Sequence, residues 1–290
     1  MGRWAYRDGR YLRLTAPAVA IEDRGYQFAD GVYEMIKVID GRPRDLERHF
    51  DRLERSLGEL RIPMPTTRRA LGAIIGETLR RNRLSLATVY LQVTRGIAPR
   101  NHPFPARARP TLTVTVRRAP FPDAEERRRG VAVLSVPEQR WARCDIKSIA
   151  LLPNVLARQR AAEAGCREAW FVGADGVVTE GSASNAFIVD AQGRLRTHPA
   201  GPRILSGITR GILLELARAA GIEVVEEPFT LEEAKRAREA FLSSTTSLLL
   251  PVTRIDDSIV ANGVPGSLTR TLARRYAEYL EFPEAASGLS

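Results

Sequence analysis

Between residues 31 and 118, three stretches alternate with the two-residue period of strands: "VYEMIKVI", "TVYLQVTR" and "TLTVTVR". Two segments of helical period both fall between the first strand and the second. That order cannot be laid down as repeated β-α-β units, and the rest of the chain mixes strands and helices just as irregularly. The pattern predicts an α+β fold and not a doubly wound parallel sheet. Asp8-Gly9 and Asp40-Gly41 follow strand patterns and predict tight turns. The first helix should carry Leu46, His49, Phe50, Leu53, Leu57 and Leu60 on one face, with Asp45 near its start. The second should run from about Thr67 to Asn82.

The stretch "APFPDAEERRRG", residues 119 to 130, combines proline and charge with no apolar period. It predicts a boundary between a smaller N-terminal α+β domain, residues 1–120, and a larger β-rich C-terminal domain with helices, residues 121–290. A chain of 290 residues is long enough for two such cores. Beyond the boundary come the strand "VAVLSV" and a helix from about Ile149 to Ala164. A β-rich run from "EAWFVG" to "RLRTHP" leads to a helix ending at Gly221, and the last helix spans about Ser267 to Leu280.

Composition narrows the function classes. The net charge of +10 raises a nucleic-acid-binding protein as an alternative. Most arginines, however, are scattered among Glu and Asp, as in "RDLERHFDRLERSLGELR", which reads as a solvated face. No apolar run approaches the ~20 residues that span a bilayer, and no membrane association is expected. "MGRWAYRDGRYLRL" carries charges where a signal peptide needs its apolar centre, so a cytoplasmic location is the default. Cys144 and Cys166 read as packing residues with free thiols. His49, His102 and His198 lie far apart without a metal-binding pattern, and no metal is expected.

The basic residues are almost all arginine; only Lys37, Lys147 and Lys235 are lysine. Arginine cannot supply a free amine to attack a carbonyl, so amine chemistry would have to use one of these three. Lys37, on the strand face of Tyr33 and Met35, reads as solvated. Lys235, in "LEEAKRARE", reads as exposed. Lys147 differs: "RCDIKSIALLPN" is apolar enough to lie inside, where burial favours the uncharged amine. Two other segments carry chemistry if they share a site with it. "VVTEGSASNAFIV" sets Glu180 after a strand among small and hydroxyl-bearing residues. "LSGITRGILLEL" opens a helix with Ser206, Gly207, Ile208 and Thr209, whose backbone N–H groups suit a phosphate.

In chain order, "EDRGYQFADGVYE", "HFDRL", "YLQVTRGIAPRNHPFP", "RWARCDIKS", "TEGSASN", "THP", "ILSGITR" and "SSTTS" resemble the fold-type IV pyridoxal phosphate (PLP) enzymes. The resemblance is greatest to the D-amino acid aminotransferases and covers most of the chain from Glu22 to Pro251. It implies ping-pong transamination of D-amino acids such as D-alanine or D-glutamate with 2-keto acids, by a homodimer. Lys147 would carry the PLP aldehyde and, when freed, move the proton at the substrate Cα. Glu180 would pair with the pyridine nitrogen. Arg52 would bind the phosphate with the N–H groups of Ile208 and Thr209 and the Thr246 hydroxyl. Arg100, His102 and Tyr33 would hold the substrate carboxylate, on a loop that in the family reaches across the dimer interface. Branched-chain L-amino acid and (R)-amine transaminases share the lysine and the glutamate and are the alternative within the fold; the Arg-x-His pair is what favours D-amino acids. Ala29, Ala183 and Ser206 stand where glycine, serine and lysine are common, and Ala142 follows Trp141 where it could widen the pocket.

Overall fold

The computed structural model describes residues 3–281, which divide into two compact units. Residues 3–120 and 146–151 form one, and residues 121–145 and 152–281 the other.

The first unit contains β1 (Trp4–Arg7), β2 (Arg10–Arg13), α1 (Arg24–Phe28), β3 (Gly31–Ile39), β4 (Arg42–Pro43), α2 (Leu46–Glu59), α3 (Arg68–Asn82), β5 (Ala87–Thr94) and β6 (Thr111–Arg118). Its sheet is antiparallel, in the order β2-β1-β6-β5-β3-β4. Both Asp-Gly pairs form the expected turns with positive φ, 43° and 89° at Asp8 and Gly9, 52° and 73° at Asp40 and Gly41. One core joins α2 (Phe50, Leu53, Leu57) and α3 (Leu71, Ile75, Leu79) to the sheet through Ile36, Val89, Leu91 and Val114. Ala29 closes α1 at φ 55°, which explains why glycine is the easier residue there: a Cβ in the left-handed region is strained by about 1 kcal/mol.

The second unit contains α4 (Ala124–Arg129), β7 (Val131–Pro137), α5 (Leu152–Glu163), β8 (Glu168–Val172), β9 (Val177–Gly181), β10 (Asn185–Val189), β11 (Leu195–Thr197), α6 (Ile208–Ala219), β12 (Val224–Val225), β13 (Phe229–Thr230), α7 (Leu231–Lys235), β14 (Glu239–Ser244), β15 (Leu248–Ile255), β16 (Ser258–Ile259) and α8 (Ser267–Tyr279). Its mixed sheet runs β12-β11-β10-β14-β15-β7-β8-β9-β13, with β16 beside β15. Cys144 and Cys166 are buried free thiols, and burial pushes Cys144 up to about 11.

Five local expectations need correction. The segment Ile146–Leu151, expected in the C-terminal domain, packs with the first unit: Ile146 enters its core and Ser148 bridges Val32. The following helix therefore starts at Leu152 and not at Ile149. Residues 119–130 are not a bare linker, because Asp123 caps the short helix α4. Lys235 is only 21% exposed at its side chain and pairs with Asp256 at 3.0 Å.

The fifth correction concerns Lys37, which is 3% exposed, not solvated. Its Nζ donates to the Ala119 carbonyl at 2.9 Å, and burial pushes its pKa down to about 8. The folded value lies below the ordinary one of about 10.5, so the unfolded chain binds the extra proton between the two. Stability attributable to this residue should therefore rise as pH increases from about 8 to 10.5. Lys37→Met should lose that rise and unfold at a urea midpoint no lower than wild type at pH 7; denaturation series at both ends of the window measure it.

Candidate active site

In the first unit, backbone geometry fixes Lys147. Its carbonyl accepts from the Tyr33 amide at 3.0 Å, and its own amide donates to Ser56 Oγ at 3.3 Å. The Ile149 amide donates to the Gly31 carbonyl at 3.1 Å. A Cβ at Gly31 would sit 2.6 Å from the Val93 carbonyl oxygen and 3.1 Å from Ile149 Cδ1, so only glycine admits this approach. The Lys147 side chain is half-buried, and its Nζ lies 4.3 Å from the Tyr33 ring centroid. Tyr33 in turn stacks on Tyr90 at 5.5 Å. The amine is thus held at a fixed place without being sealed from reactants.

Arg52 is buried and already engaged. Its Nε and Nη2 donate to the two carboxylate oxygens of Glu34 at 2.8 and 2.7 Å, and His49 Nδ1 lies 2.7 Å from the second oxygen. Burial alone would raise the Glu34 pKa, but the Arg52 charge and the bonds from Arg52 and His49 hold it down at about 2. Glu34 was not singled out from sequence, and His49 was placed on the apolar helix face without a role in the site. Their signal was available: Glu34 shares the inward strand face with Ile36 and Val38, and His49 and Arg52 are three apart on α2.

Arg100 and His102 are exposed and share one support, the Phe28 ring. The Arg100 guanidinium carbon is 5.0 Å from its centroid and the His102 ring 5.4 Å. The structure thus brings Arg100 and His102 together, and separately Lys147 and Tyr33.

In the second unit, Glu180 is the penultimate residue of β9 and is 5% exposed. Arg140 Nη1 donates to its Oε1, while Asn185 Nδ2 and the Leu205 amide each donate to Oε2 at 3.0 Å. Arg140 also forks onto Glu138 at 3.0 and 2.7 Å and lies 4.4 Å over the Phe171 ring. Sequence reasoning missed Arg140, Glu138 and Asn185, although "EQRW" and "SASN" flank residues it did select. The turn after Glu180 is ordered by a second buried carboxylate, Glu168, which accepts from Ser182 and Ser184 Oγ.

The start of α6 suits an anion. Gly207 is its N-cap and supplies no side-chain acceptor to the first-turn N–H groups, those of Ile208 and Thr209 among them. A Cβ on Gly207 would meet Asn185 Oδ1 at 2.1 Å, which ties this turn to the Glu180 partner. Thr209 is buried, with its hydroxyl 3.4 Å from Tyr276 Oη. Thr246 is exposed on the turn between β14 and β15, 3.3 Å from Ser244 Oγ. Ala183 and Ser206 are both exposed. The fixed amine of the first unit and, in the second, a helix start without a side-chain cap and a carboxylate held by Arg140, Asn185 and the Leu205 amide are each of a chemistry that fits PLP. Among the described residues no cluster of His, Cys, Asp or Glu is placed to hold a metal ion.

Comparison with known proteins gives consistent answers. The D-alanine aminotransferase of Bacillus licheniformis is 40% identical over 265 residues, 91% of this chain and 93% of that protein. That of Staphylococcus epidermidis strain RP62A is 36% identical over 274 residues, covering 94% and 96%. The crystal structure of the Escherichia coli branched-chain amino acid aminotransferase superposes with a TM-score of 0.90 at 24% identity, over 98% of this chain and 96% of that one, a likeness of fold. The α+β expectation is borne out by the same likeness. Residues 31–255 match the family model described as amino-transferase class IV, and the chain belongs to that family.

Proposed function

We propose that this protein transfers amino groups between D-amino acids and 2-keto acids in a ping-pong cycle, with PLP as its cofactor. The observation that carries the reading is the 40% identity to a D-alanine aminotransferase along 91% of the chain. Bound PLP supplies an electron sink for the negative charge that develops at the substrate Cα. Lys147 would hold the cofactor through its amine and, with that amine free, would move the proton at the substrate Cα, two roles open to a nitrogen that can lose its own proton. Glu180 would pair with the pyridine nitrogen, its direction fixed by the Arg140, Asn185 and Leu205 donors. The N–H groups of Ile208 and Thr209 and the Thr246 hydroxyl would hold the phosphate, a role proposed for Arg52 as well. Arg100 and His102, with Tyr33, read the substrate carboxylate. A guanidinium matches a carboxylate with paired donors, so this loop favours amino acids over plain amines.

We further propose a homodimer, supported by the apolar side chains of Leu152, Val155 and Leu156, which are 68, 59 and 54% exposed on α5. No described helix is long and apolar enough to cross a membrane, and a cytoplasmic location remains part of the proposal.

Pyruvate formation from D-alanine with 2-oxoglutarate, compared with deamination of L-leucine, tests the substrate hand; activity on L-leucine alone defeats the D-specific reading. Arg100→Ala should lower kcat/KM for D-alanine by about 10- to 100-fold, the worth of a charge-assisted pair, and leave (R)-1-phenylethylamine nearly unchanged. Equal loss on both substrates would mean that the loop does not read the carboxylate.

A further inference from the structure

Arg100, Asn101 and His102 have their side chains in solvent, yet the backbone at Asn101 and His102 is anchored by one buried residue. Arg24, the first residue of α1, is 3% exposed. Its Nη1 donates to the Asn101 carbonyl and its Nη2 to the His102 carbonyl at 3.2 Å. Its Nε donates to Asp30 Oδ2 at 2.8 Å, and its guanidinium carbon lies 4.8 Å from the centroid of Phe28, the ring that supports Arg100 and His102. The loop's entry is fixed by the same turn: the Arg24 amide donates to the Gly96 carbonyl at 2.9 Å, the Ala98 amide to that of Glu22 at 3.2 Å, and Asp23 bridges Ile97.

Asp30 in turn holds a second arginine. Arg95 Nε and Nη2 reach its two oxygens at 2.7 and 3.0 Å, and Arg95 also donates to the carbonyls of Leu60 and Arg61 at the end of α2. The anchor is therefore built into the body of the unit, not into the loop. An exposed loop with two carbonyls turned onto a buried guanidinium cannot rotate its peptide planes without abandoning both bonds. Its two recognition side chains stay aimed before any ligand arrives, which removes an ordering cost that binding would otherwise carry.

We infer that Arg24 is the positioning residue of the carboxylate-reading loop and thereby sets the affinity for α-carboxylate substrates. This rests on the reading of Arg100 and His102 as the carboxylate ligands. Arg24 itself touches no reactant. Its removal should leave the fold intact, because Asp30 keeps its two-point pair with Arg95.

The test uses the PLP-loaded full chain and follows the D-alanine half-reaction in single turnovers, alongside hydrogen exchange of the amides between Ile97 and Phe104. In Arg24→Gln the half-saturating D-alanine concentration should rise about tenfold or more with the maximal rate changed by less than about threefold, and those amides should exchange about tenfold faster. Arg24→Lys, which keeps a charged donor for one carbonyl, should recover part of both effects. If Arg100→Ala raises half-saturation while Arg24→Gln leaves both half-saturation and exchange at wild-type values, the inference is overturned and the reading of the loop stands. A fall in maximal rate alone in Arg24→Gln also overturns it, since that marks general damage. If Arg100→Ala leaves half-saturation unchanged, the reading of the loop fails and the inference falls with it.

Discussion

Lys147→Ala should reduce transamination of D-alanine by about 10⁴-fold or more, because in the proposed mechanism one substitution removes both the attachment of the cofactor and the base that moves the Cα proton. The fold should hardly notice. Lys147 serves the structure through its backbone, by the Tyr33 amide on its carbonyl and its own amide on Ser56 Oγ, and alanine keeps both bonds. Thermal unfolding of the variant should stay within about 1 kcal/mol of wild type, the scale of an ordinary partly exposed substitution. Lys147→Arg should be as inactive as the alanine variant, since a guanidinium does not lose its proton near neutral pH. The measurement pairs pyruvate formation with borohydride treatment of the PLP-loaded protein: after denaturation, cofactor absorbance should remain on wild type and be absent from both variants. Residual activity above about 1% of wild type in Lys147→Ala would remove the lysine from the chemistry, as so large a remainder exceeds what binding alone supports.

What was legible in the sequence divides along the range of the interactions involved. The Asp-Gly turns, the capped helix at Thr67 and the strand alternation of β5 and β6 depend on neighbours in the chain, and each is found where the pattern set it. The return of Ile146–Leu151 to the first unit was not legible, because it depends on Gly31 leaving room for Ile149 beside a strand more than a hundred residues away. Lys37 shows the same limit at a single residue. Alternation assigns it to a strand face with Tyr33 and Met35, but whether that face meets water or the Ala119 carbonyl is decided elsewhere. The scarcity of lysine pointed to Lys147, yet it could not supply partners. Arg140 on Glu180 and Glu34 under Arg52 are pairs 40 and 18 residues apart in the chain, and Asn185, only five from Glu180, reaches it through the turn between them; all look like ordinary surface residues when read in order. Many remaining arginines do behave as a solvated face: Arg68 pairs with Glu47, Asp51 and Glu54, and Arg80 and Arg81 with Glu77.

Glu34→Ala should destabilise the protein by about 3–5 kcal/mol, because it leaves the buried Arg52 guanidinium without its carboxylate. A second route gives a similar size. Glu34 is held at about 2 against an ordinary value of 4.5, and a depression of that extent corresponds to about 3 kcal/mol of pH-dependent stability. The folded value lies below the unfolded one, so this contribution is complete above pH 4.5 and is lost as pH falls toward 2. Urea unfolding of wild type and Glu34→Ala should therefore show a gap that is widest near pH 6 and narrows steadily below pH 4.5; a gap independent of pH would refute the ionised pair. The double variant Glu34→Leu, Arg52→Met separates stability from cofactor binding. Replacing both members of a buried ion pair by apolar side chains of similar size is often neutral for folding, so its unfolding midpoint should recover toward wild type. Its PLP affinity, measured by equilibrium dialysis, should not recover, because Arg52 is proposed to serve the phosphate as well as Glu34. Recovery of both would confine Arg52 to the fold and leave the phosphate to the start of α6.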